Sequence, residues 1–349
     1  MKKHLLLAMA LFASNYAMAD KTYTIPEDTT KVIDIEEVVV IASPKETSKL
    51  RQLPSSVSLI SQKDMQANHI TSLKSASSIV PNFFMPDYGS RLTSAMYIRG
   101  IGSRINTPAV GMYVDNIPYL DKSAFDFNFY DIERIDILRG PQGTLYGRNT
   151  MGGLVKVHTR SPFSYQGTDL KLSYGSGNNH RSASLTHYHR ISERFAFSAG
   201  GYYEGADGFF TNSFLNKKVD DMQAGGGRIR AIWFASDNWK FDFNVNYDYT
   251  DEGGYPYYYT GAILEINADL IDKIAYNRES TYRRSLLNTG LNIEHQAENF
   301  IFNAVTGFQH LNDRMFMDQD FSPRDTYTLE QKQRINSITE EITFKSKPG

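Results

Sequence analysis

The chain has 349 residues, a formal net charge of −2 at pH 7 and no cysteine. The lack of cysteine excludes structural disulfides, and the near-balanced charge gives no electrostatic reason to expect nucleic acid as a partner. No apolar run reaches about twenty residues, which excludes a protein that spans the inner membrane with helices. Aromatic residues make up 13% of the chain, with 22 Tyr and 21 Phe. That proportion favours a β-structure with aromatic side chains at two membrane interfaces.

Residues 1–19 have the pattern of a secretory signal peptide. Lys2 and Lys3 form a basic start, Leu5–Phe12 is apolar, and Ala17–Ala19 is a small-x-small cleavage site before Asp20. The apolar run is too short to cross a bilayer as a helix. We therefore expect removal of residues 1–19 during export.

Residues 20–43 are predicted to form a polar tail with one apolar, β-branched segment. An exposed strand in such a tail can pair with the sheet edge of a partner protein. The alternative is that the segment forms the first strand of the next domain, but its place just after the export signal favours the docking strand. The predicted docking residues are Glu37, Val38, Val39, Val40 and Ile41.

Residues 44–162 have the pattern of one compact α/β module. Val57–Ile60 predicts a short strand, and Ser61 is placed to cap a helix that has Asp64 in its first turn. Leu73–Val80 predicts a second helix that ends before Pro81. The sequence VGMYVDNIP at 110–118 predicts a β-hairpin with Asn116 at a left-handed turn position.

The segment 131–159, DIERIDILRGPQGTLYGRNTMGGLVKVHT, is the most informative part of the chain. It predicts a strand with alternating apolar and charged residues, then consecutive glycine-rich turns, then a second strand. A phosphate-binding loop is the obvious alternative for a glycine-rich run. That loop requires Gly-Lys followed by Ser or Thr, whereas Arg148 and Asn149 follow Gly147. The nucleotide interpretation is therefore rejected.

This segment resembles the end of the plug domain of TonB-dependent outer-membrane receptors, where the pattern is IERIEVLRGP…LYG…GG. MYIRG at 96–100 and the hairpin at 110–118 resemble two further plug motifs of that family. The docking strand resembles the family's TonB box, with Glu37 where Thr is common. The resemblance implies a plug domain at 44–162 and energisation by TonB, with ExbB and ExbD acting indirectly.

From residue 163 onward, the sequence predicts membrane-crossing strands. In NWKFDFNVNYDY at 238–249, odd positions from Trp239 are apolar and even positions are polar. One lipid-facing and one water-facing surface is typical of an outer-membrane strand. The other predicted strands are Thr168–Gly175, Arg181–His189, Arg194–Tyr203, Met222–Phe234, Tyr282–His295, Asn299–His310 and Gln333–Lys345. In the last strand, Glu340 is predicted to share a face with Ile338, Ile342 and Phe344.

The connections between these strands alternate in length. Short turns are predicted near residues 190–193, 235–237 and 296–298, and long connections at 205–221, 250–281 and 311–332. Short periplasmic turns and long external loops distinguish an outer-membrane barrel from a soluble sandwich. About eight strands enclose too little space for a plug, and the barrel of the receptor family has twenty-two. We therefore predict an α+β plug domain followed by antiparallel transmembrane β-strands at 163–349, part of a 22-stranded outer-membrane β-barrel whose remainder lies in the same or an adjacent chain.

No catalytic or metal-binding residues are predicted. The eight histidines show no paired metal spacing. His187 and His189 share a face of one predicted strand, but no third ligand is near in sequence, so we expect both to be solvated in the lumen. The sequence therefore predicts a protein that is not an enzyme and needs no cofactor.

The resemblance also implies functional residues. Arg99 and Arg139 match plug arginines that pair with barrel glutamates, and they are predicted to act as a latch, with Glu341 as a local candidate partner. Arginine and tyrosine can hold an anionic or aromatic iron chelate, so the predicted ligand contacts are Tyr88, Arg91, Arg104 and Tyr119. Tyr255, Tyr257, Tyr258 and Tyr259 are predicted either to contact the ligand or to lie at the membrane interface.

The implied function is TonB-energised import of a ferric siderophore or another iron chelate across the outer membrane of a Gram-negative cell. Outer-membrane lipid is then a further partner. Two alternatives stay open: a cobalamin or glycan importer, and a truncated or split receptor without transport activity of its own.

Overall fold

The computed structural model describes residues 56–105, 107–258 and 273–347. The predicted signal peptide and the docking strand Glu37–Ile41 lie outside this part of the chain. The described residues form an α/β plug, a connecting segment and an eight-stranded sheet, which we call the wall. None of the described helices is both long and apolar enough to span a membrane.

The plug begins with a strand and a capped helix, as predicted. Strand β1 spans Ser56–Ser61 and helix α1 spans Gln62–Ala67. The backbone N–H of Asp64 donates to Ser61 Oγ at 3.2 Å, and the backbone N–H of Ser61 donates to Asp64 Oδ2 at 2.9 Å. Because this capping box satisfies two otherwise unpaired donors, it fixes where the helix starts.

The second predicted helix is shorter than expected. Helix α2 spans Leu73–Ala76 and does not continue to Val80. Ser78 Oγ donates to the carbonyl oxygen of Ser75 at 2.7 Å, and Ser77 Oγ accepts from the backbone N–H of Met85 at 2.9 Å. Serine side chains that bond to backbone groups compete with helix continuation, so the apolar periodicity overestimated this helix.

The plug contains a five-stranded mixed sheet in the order β1-β7-β8-β5-β6 and a small sheet in the order β2-β3-β4. Strands β5 and β8 run parallel, and the other neighbours in the larger sheet are antiparallel. The buried plug core includes Ile60, Leu73, Ile98, Ile135 and Ile137. The remaining elements are β2 (Phe83–Phe84), β3 (Tyr97–Ile98), β4 (Ile101–Gly102), β5 (Val110–Val114), β6 (Ile117–Tyr119), β7 (Ile132–Arg139), α3 (Gly143–Tyr146) and β8 (Gly153–Thr159).

The glycine-rich segment forms the connection from β7 to β8. Gly153 has φ +155, and a Cβ at this position would lie 2.3 Å from the carbonyl oxygen of Leu138. No side chain can occupy that space, so the sequence requires glycine where β8 begins. The strand, turn and strand therefore lie as predicted.

The wall is an antiparallel sheet in the order β18-β17-β16-β15-β14-β11-β10-β9. A two-stranded hairpin, β12 (Thr211–Asn212) with β13 (Lys217–Lys218), lies within one long connection. The wall strands are β9 (Gly167–Gly175), β10 (His180–Ser192), β11 (Phe195–Ala206), β14 (Met222–Ser236), β15 (Trp239–Gly253), β16 (Thr281–Gln296), β17 (Phe300–Asp318) and β18 (Thr328–Ser346).

The two faces of the wall have the polarity of a membrane barrel. On β15, Phe243 is 45% exposed and Tyr247 is 46% exposed, whereas Asn244 and Asp248 are buried. Polar side chains therefore face the plug and apolar side chains face outward, the reverse of a soluble sheet. The predicted fold, an α+β plug followed by part of a barrel, is confirmed.

Several strands extend beyond their predicted ends. β17 continues to Asp318 and β18 begins at Thr328, so both strands project past the apolar band. Beyond His310 the polarity of β17 reverses, because Leu311 and Met315 are buried on the inner face while Asn312 and Arg314 are exposed on the outer face. Glu340 is on the exposed face as predicted, and it accepts a hydrogen bond from Thr306 Oγ1 at 2.5 Å.

The prediction that His187 and His189 face the lumen is wrong. Both are exposed on the outer face of β10, whereas Tyr188 between them and Thr186 before them are buried. Their rings stack with centroids 5.9 Å apart. Because Thr186 and Tyr188 are compatible with either face of the strand, the local sequence does not indicate which face carries His187 and His189.

Aromatic rings cluster on the outer face at the short-turn end of the wall. The Trp239 ring stacks on His295 with centroids 4.2 Å apart, and Phe300 and Phe344 lie 6.2 Å apart. Such rings are typical of a membrane–water interface.

Candidate functional site

Charged groups from the plug and the wall meet in a buried interface centred on Arg91. The Arg91 Nε lies 3.5 Å from Glu252 Oε2, and its backbone N–H donates to Glu252 Oε1 at 2.7 Å. Its Nη2 lies 3.9 Å from Glu204 Oε2. Because Arg91 is in the plug and both glutamates are in the wall, this arginine holds the two parts together.

Lys74 and Asp126 extend this interface within the plug. The Lys74 Nζ lies 2.9 Å from Asp126 Oδ2. Burial alone would raise the pKa of Asp126, but Lys74 and Arg91 outweigh it and lower the pKa to about 2. Asp126 is therefore ionised at neutral pH, and its charge is balanced by neighbouring cations.

Wall arginines reach into the plug at three further points. Arg228 Nη1 lies 2.5 Å from Asp131 Oδ1, and both side chains are about 95% buried, with 5% and 6% exposed. Arg230 donates to the carbonyl oxygen of Thr159 at 3.0 Å and lies 3.8 Å from Asp115. Arg284 donates to the carbonyl oxygen of Asp126 at 2.9 Å. Breaking a buried pair by removing one partner typically costs about 3–5 kcal/mol, so these contacts fix the plug against the wall.

An apolar contact complements the charged ones. Ile117, in the plug hairpin, projects toward Gly290 on β16 and Gly307 on β17. A Cβ on Gly290 would lie 2.5 Å from Ile117 Cγ1, and one on Gly307 would lie 2.8 Å from Ile117 Cγ2. The two glycines therefore form a recess that accepts this plug side chain.

The top of the plug also contacts the long β15–β16 connection. The backbone N–H of Tyr255 donates to the carbonyl oxygen of Gly89 at 2.8 Å, and the Tyr257 hydroxyl donates to the carbonyl oxygen of Tyr88. Gly89 has φ +80, and a Cβ there would lie 3.0 Å from Pro256. Tyr255 and Tyr257 therefore lie against the plug and not at the membrane interface. Tyr258 is exposed, and Tyr259 lies outside the described residues.

A cavity of about 550 Å³ lies between the plug, the wall and the long connections. Its lining includes five carboxylates and two cations, so their formal charges sum to −3. The carboxylates are Asp87, Asp126, Glu204, Asp220 and Glu252, and the cations are Lys74 and Arg91.

Of the four predicted ligand residues, Arg91 lines the cavity, and Tyr88 and Arg104 lie outside its lining but are accessible. The Arg104 guanidinium is exposed and lies 4.5 Å from the centroid of the half-buried Tyr88 ring. Arg91 is occupied by wall carboxylates, and Tyr119 packs in the plug core with its ring centroid 5.9 Å from that of Phe127. Ligand contact by all four residues remains a prediction.

The predicted latch arginines lie next to one another near the start of the β7–β8 connection. Arg139 Nη1 donates to the carbonyl oxygen of Pro81 at 3.0 Å. The backbone N–H of Arg99 donates to the carbonyl oxygen of Asn82 at 2.9 Å. Within the described ranges, neither arginine forms an ion pair with a wall carboxylate. Their latch role remains a prediction, and Arg91 is the plug arginine that contacts wall glutamates.

Sequence reasoning missed the wall half of this interface: Glu204, Arg228, Arg230, Glu252 and Arg284. One signal was available, because Arg228 and Arg230 fall on the same face of predicted strand Met222–Phe234. Charged residues on an inward face require partners of opposite charge, and the plug supplies Asp115 and Asp131.

Comparison with known proteins finds a matching family model for the plug and similar proteins for most of the chain. Residues 49–154 match the model of the TonB-dependent receptor plug domain. The chain is 27% identical over 296 residues to the ferrioxamine B receptor of Salmonella typhimurium, covering 78% of this chain and 39% of that protein. It is 26% identical over 297 residues to the vitamin B12 transporter BtuB of Vibrio vulnificus, covering 79% of this chain and 44% of that protein.

Among solved structures, the ferric yersiniabactin uptake receptor FyuA from Yersinia pestis is similar, with a TM-score of 0.73 and 19% identity. The match covers 84% of this chain and 46% of that one. The chain thus spans less than half the length of these relatives, which are transport receptors and not enzymes. Residues 49–154 therefore match a TonB-dependent receptor plug domain, and the described chain has the fold of such a plug with part of a receptor barrel.

Proposed function

We propose that this chain is part of an outer-membrane receptor that imports a ferric siderophore or another iron chelate with energy supplied through TonB. The main structural support for this proposal is the cavity between the plug, the wall and the long connections. It lies where a ligand captured outside the cell would meet the plug. The ferrioxamine B and ferric yersiniabactin receptors among its relatives support an iron chelate as cargo.

The net charge of the cavity lining restricts the charge of the proposed ligand. Arg91 is neutralised by Glu252 and Glu204, and the remaining lining is acidic. A neutral or cationic chelate would enter this cavity at a lower electrostatic cost than an anionic one. Tyr88 and Arg104 then form a separate exposed contact near the cavity.

The proposed energy coupling uses the tail. After cleavage of residues 1–19, TonB would pair with Glu37–Ile41 by strand addition, with ExbB and ExbD driving TonB. Main-chain hydrogen bonds along a short strand resist a force applied along the chain. That force would have to break the contacts of Arg91 before the plug domain, proposed at 44–162, moves relative to the wall.

A cobalamin importer is the second candidate, and similarity to a vitamin B12 transporter favours it. Glycan import, and a truncated or split product without transport activity of its own, are the other outcomes that an uptake experiment distinguishes.

The test is energised uptake by iron-starved cells that express the full-length protein, with a panel of labelled ferric chelates, labelled cobalamin and labelled oligosaccharides. Val39→Pro removes a backbone donor from the docking strand, so we expect uptake to be lost while surface binding is kept. Thr30→Pro is the matched control, because it introduces proline into the same tail outside the docking strand. Uptake that is unchanged in Val39→Pro, or equally lost in Thr30→Pro, would contradict the role of the tail.

A further inference from the structure

A second cavity, of about 270 Å³, lies between helix α1 of the plug and strands β9 to β11 of the wall, and we call it the α1 cavity. Its polar lining includes Gln62, Gln66 and His69 of the plug and Lys171, Ser173, Ser182 and Ser184 of the wall. Each of these side chains can donate hydrogen bonds. Five carboxylates line the larger cavity beside Arg91, which we call the acidic cavity. The two cavities therefore differ in chemistry.

The two cavities adjoin at a contact between the plug and the wall. Thr71, Asn128 and Glu204 line both of them. The Asn128 Nδ2, in the plug, donates to Glu204 Oε2, in the wall, at 3.1 Å. The Glu204 Oε1 lies 3.0 Å from Nε2 of His180, which lines the α1 cavity. The hydrogen bond between Asn128 and Glu204 therefore crosses the boundary between the acidic cavity and the α1 cavity.

The α1 cavity extends from this boundary toward the short-turn end of the wall. In the sheet register, Glu204 is directly opposite Ser182, and Tyr202 is directly opposite Ser184. Residues two apart on a strand are separated by about 7 Å, so Ser184 lies that much nearer the short turns than Ser182. The α1 cavity therefore leads away from the long connections.

One buried group that lines the α1 cavity has unused hydrogen-bonding capacity. Tyr130 is only 5% exposed, and among the described residues its hydroxyl has no hydrogen-bond partner. Its ring centroid lies 5.2 Å from that of Tyr202, and its carbonyl oxygen accepts from Lys171 Nζ at 3.0 Å. Buried polar groups are almost always hydrogen-bonded. The Tyr130 hydroxyl and the donors around it therefore suit a molecule that presents oxygen atoms.

The plug segment that contains Asn128 is held firmly at both ends. Asp131 forms the buried pair with Arg228, and the carbonyl oxygen of Asp126 accepts from Arg284 at 2.9 Å. Removing one partner of a buried ion pair costs more than removing a partner of a single hydrogen bond. Loss of the contact at Asn128 therefore opens the boundary between the cavities while the segment around it stays in place.

We propose that Asn128 and Glu204 form a gate through which the cargo leaves the acidic cavity, and that the α1 cavity is its next binding site. In that site the Tyr130 hydroxyl, Lys171 and the wall serines donate hydrogen bonds to carbonyl or carboxylate oxygens of the chelate. This route rests on the proposed import function. It locates the opening between helix α1 and strands β9 to β11.

The first experiment needs no cargo. Because the chain lacks cysteine, Ser184→Cys in the full-length protein gives a single thiol in the α1 cavity, and its labelling by a small charged methanethiosulfonate is measured from outside intact cells. Asn128→Ala removes the gate hydrogen bond and is expected to raise the labelling rate at least fivefold. Asn292→Ala is the matched control, because Asn292 donates from the wall to the carbonyl oxygen of Asp115 in the plug at 3.2 Å, outside both cavities. It is expected to change the rate less than twofold.

The second experiment measures energised uptake of labelled ferric chelates. Ser184→Trp fills part of the α1 cavity and is expected to reduce uptake at least tenfold, while surface binding by cells without an energy source stays within twofold. Ala199→Trp adds the same ring on the outer face of the wall and is expected to reduce uptake less than twofold.

The two experiments separate failure of the route from failure of the proposed function. If the unaltered receptor takes up no chelate, the proposed function is contradicted, and the labelling rates alone decide the gate. A labelling rate that Asn128→Ala leaves unchanged, an equal rise in Asn292→Ala, or unchanged uptake in Ser184→Trp would overturn the route.

Discussion

Replacement of Arg91 by methionine tests the buried contact between the plug and the wall. Methionine keeps much of the side-chain volume but leaves Glu252, whose side chain is only 10% exposed, without its cation, while Glu204 keeps its contacts with His180 and Asn128. Removing one partner of a buried pair costs about 3–5 kcal/mol. We expect Arg91→Met to lower the free energy of plug unfolding by that amount.

The double variant Arg91→Met with Glu252→Gln separates loss of the pair from loss of packing. Neutralising Glu252 removes the unpaired buried charge, so we expect a coupling energy of about 1–3 kcal/mol between the two substitutions. Arg104→Met is the control, because Arg104 is an exposed plug arginine and surface substitutions typically change stability by less than about 0.5 kcal/mol.

The assay is a urea titration of the detergent-solubilised protein, in which brief proteolysis at each urea concentration measures the fraction of unfolded plug. A cost below about 1 kcal/mol for Arg91→Met, or no recovery on adding Glu252→Gln, would refute the assigned role of this contact.

Three further predictions follow from the structure. Gly290→Ala places a methyl group against Ile117 and is expected to lower the free energy of unfolding by about 1–3 kcal/mol. Gly225→Ala is the control, because its Cβ would lie 3.4 Å from its nearest neighbour, and it is expected to cost less in the same titration. The pKa of Asp126 falls from 3.8 to about 2 on folding, so its stabilisation is complete above pH 3.8 and lost as the pH falls toward 2. Asp126→Asn should flatten the pH dependence of stability between pH 4 and pH 2, and an unchanged slope would contradict this. Tyr88→Ala with Arg104→Ala is expected to weaken chelate binding to cells about tenfold without reducing the amount of folded receptor, and unchanged affinity would exclude this pair from the ligand site.

The sequence predicted the wall well because its two faces contact different solvents. In the segment around β15, every second side chain faces lipid, and the resulting alternation locates the strand to within a few residues. The end of β17 was missed because its inner face there buries Leu311 and Met315, which reverses the alternation, and the start of β18 was missed because residues 328–332 are exposed and mostly polar. His187 and His189 were placed on the wrong face because their neighbours do not separate clearly into polar and apolar.

The plug was predicted from local chemistry, and its contacts with the wall were not. The Ser61–Asp64 cap and the glycines between β7 and β8 depend on neighbouring residues, so the sequence indicates them directly. The partners of Arg91 are wall residues that lie more than 100 positions later in the chain. Charge pattern alone therefore selected Arg91 as a ligand contact, although its nearest groups are wall carboxylates.

We infer that the wall crosses a membrane with an apolar outer face and a polar inner face against the plug. Because the chain lacks cysteine, single cysteines at successive positions 239–249 can carry a spin label in the full-length protein in lipid bilayers. We predict that labels at Phe243 and Tyr247 are accessible to oxygen but not to a water-soluble nickel complex, and that labels at Asn244 and Asp248 are shielded from oxygen. Nickel accessibility at Phe243 and Tyr247, or a profile without two-residue alternation, would contradict this orientation of the wall in the membrane.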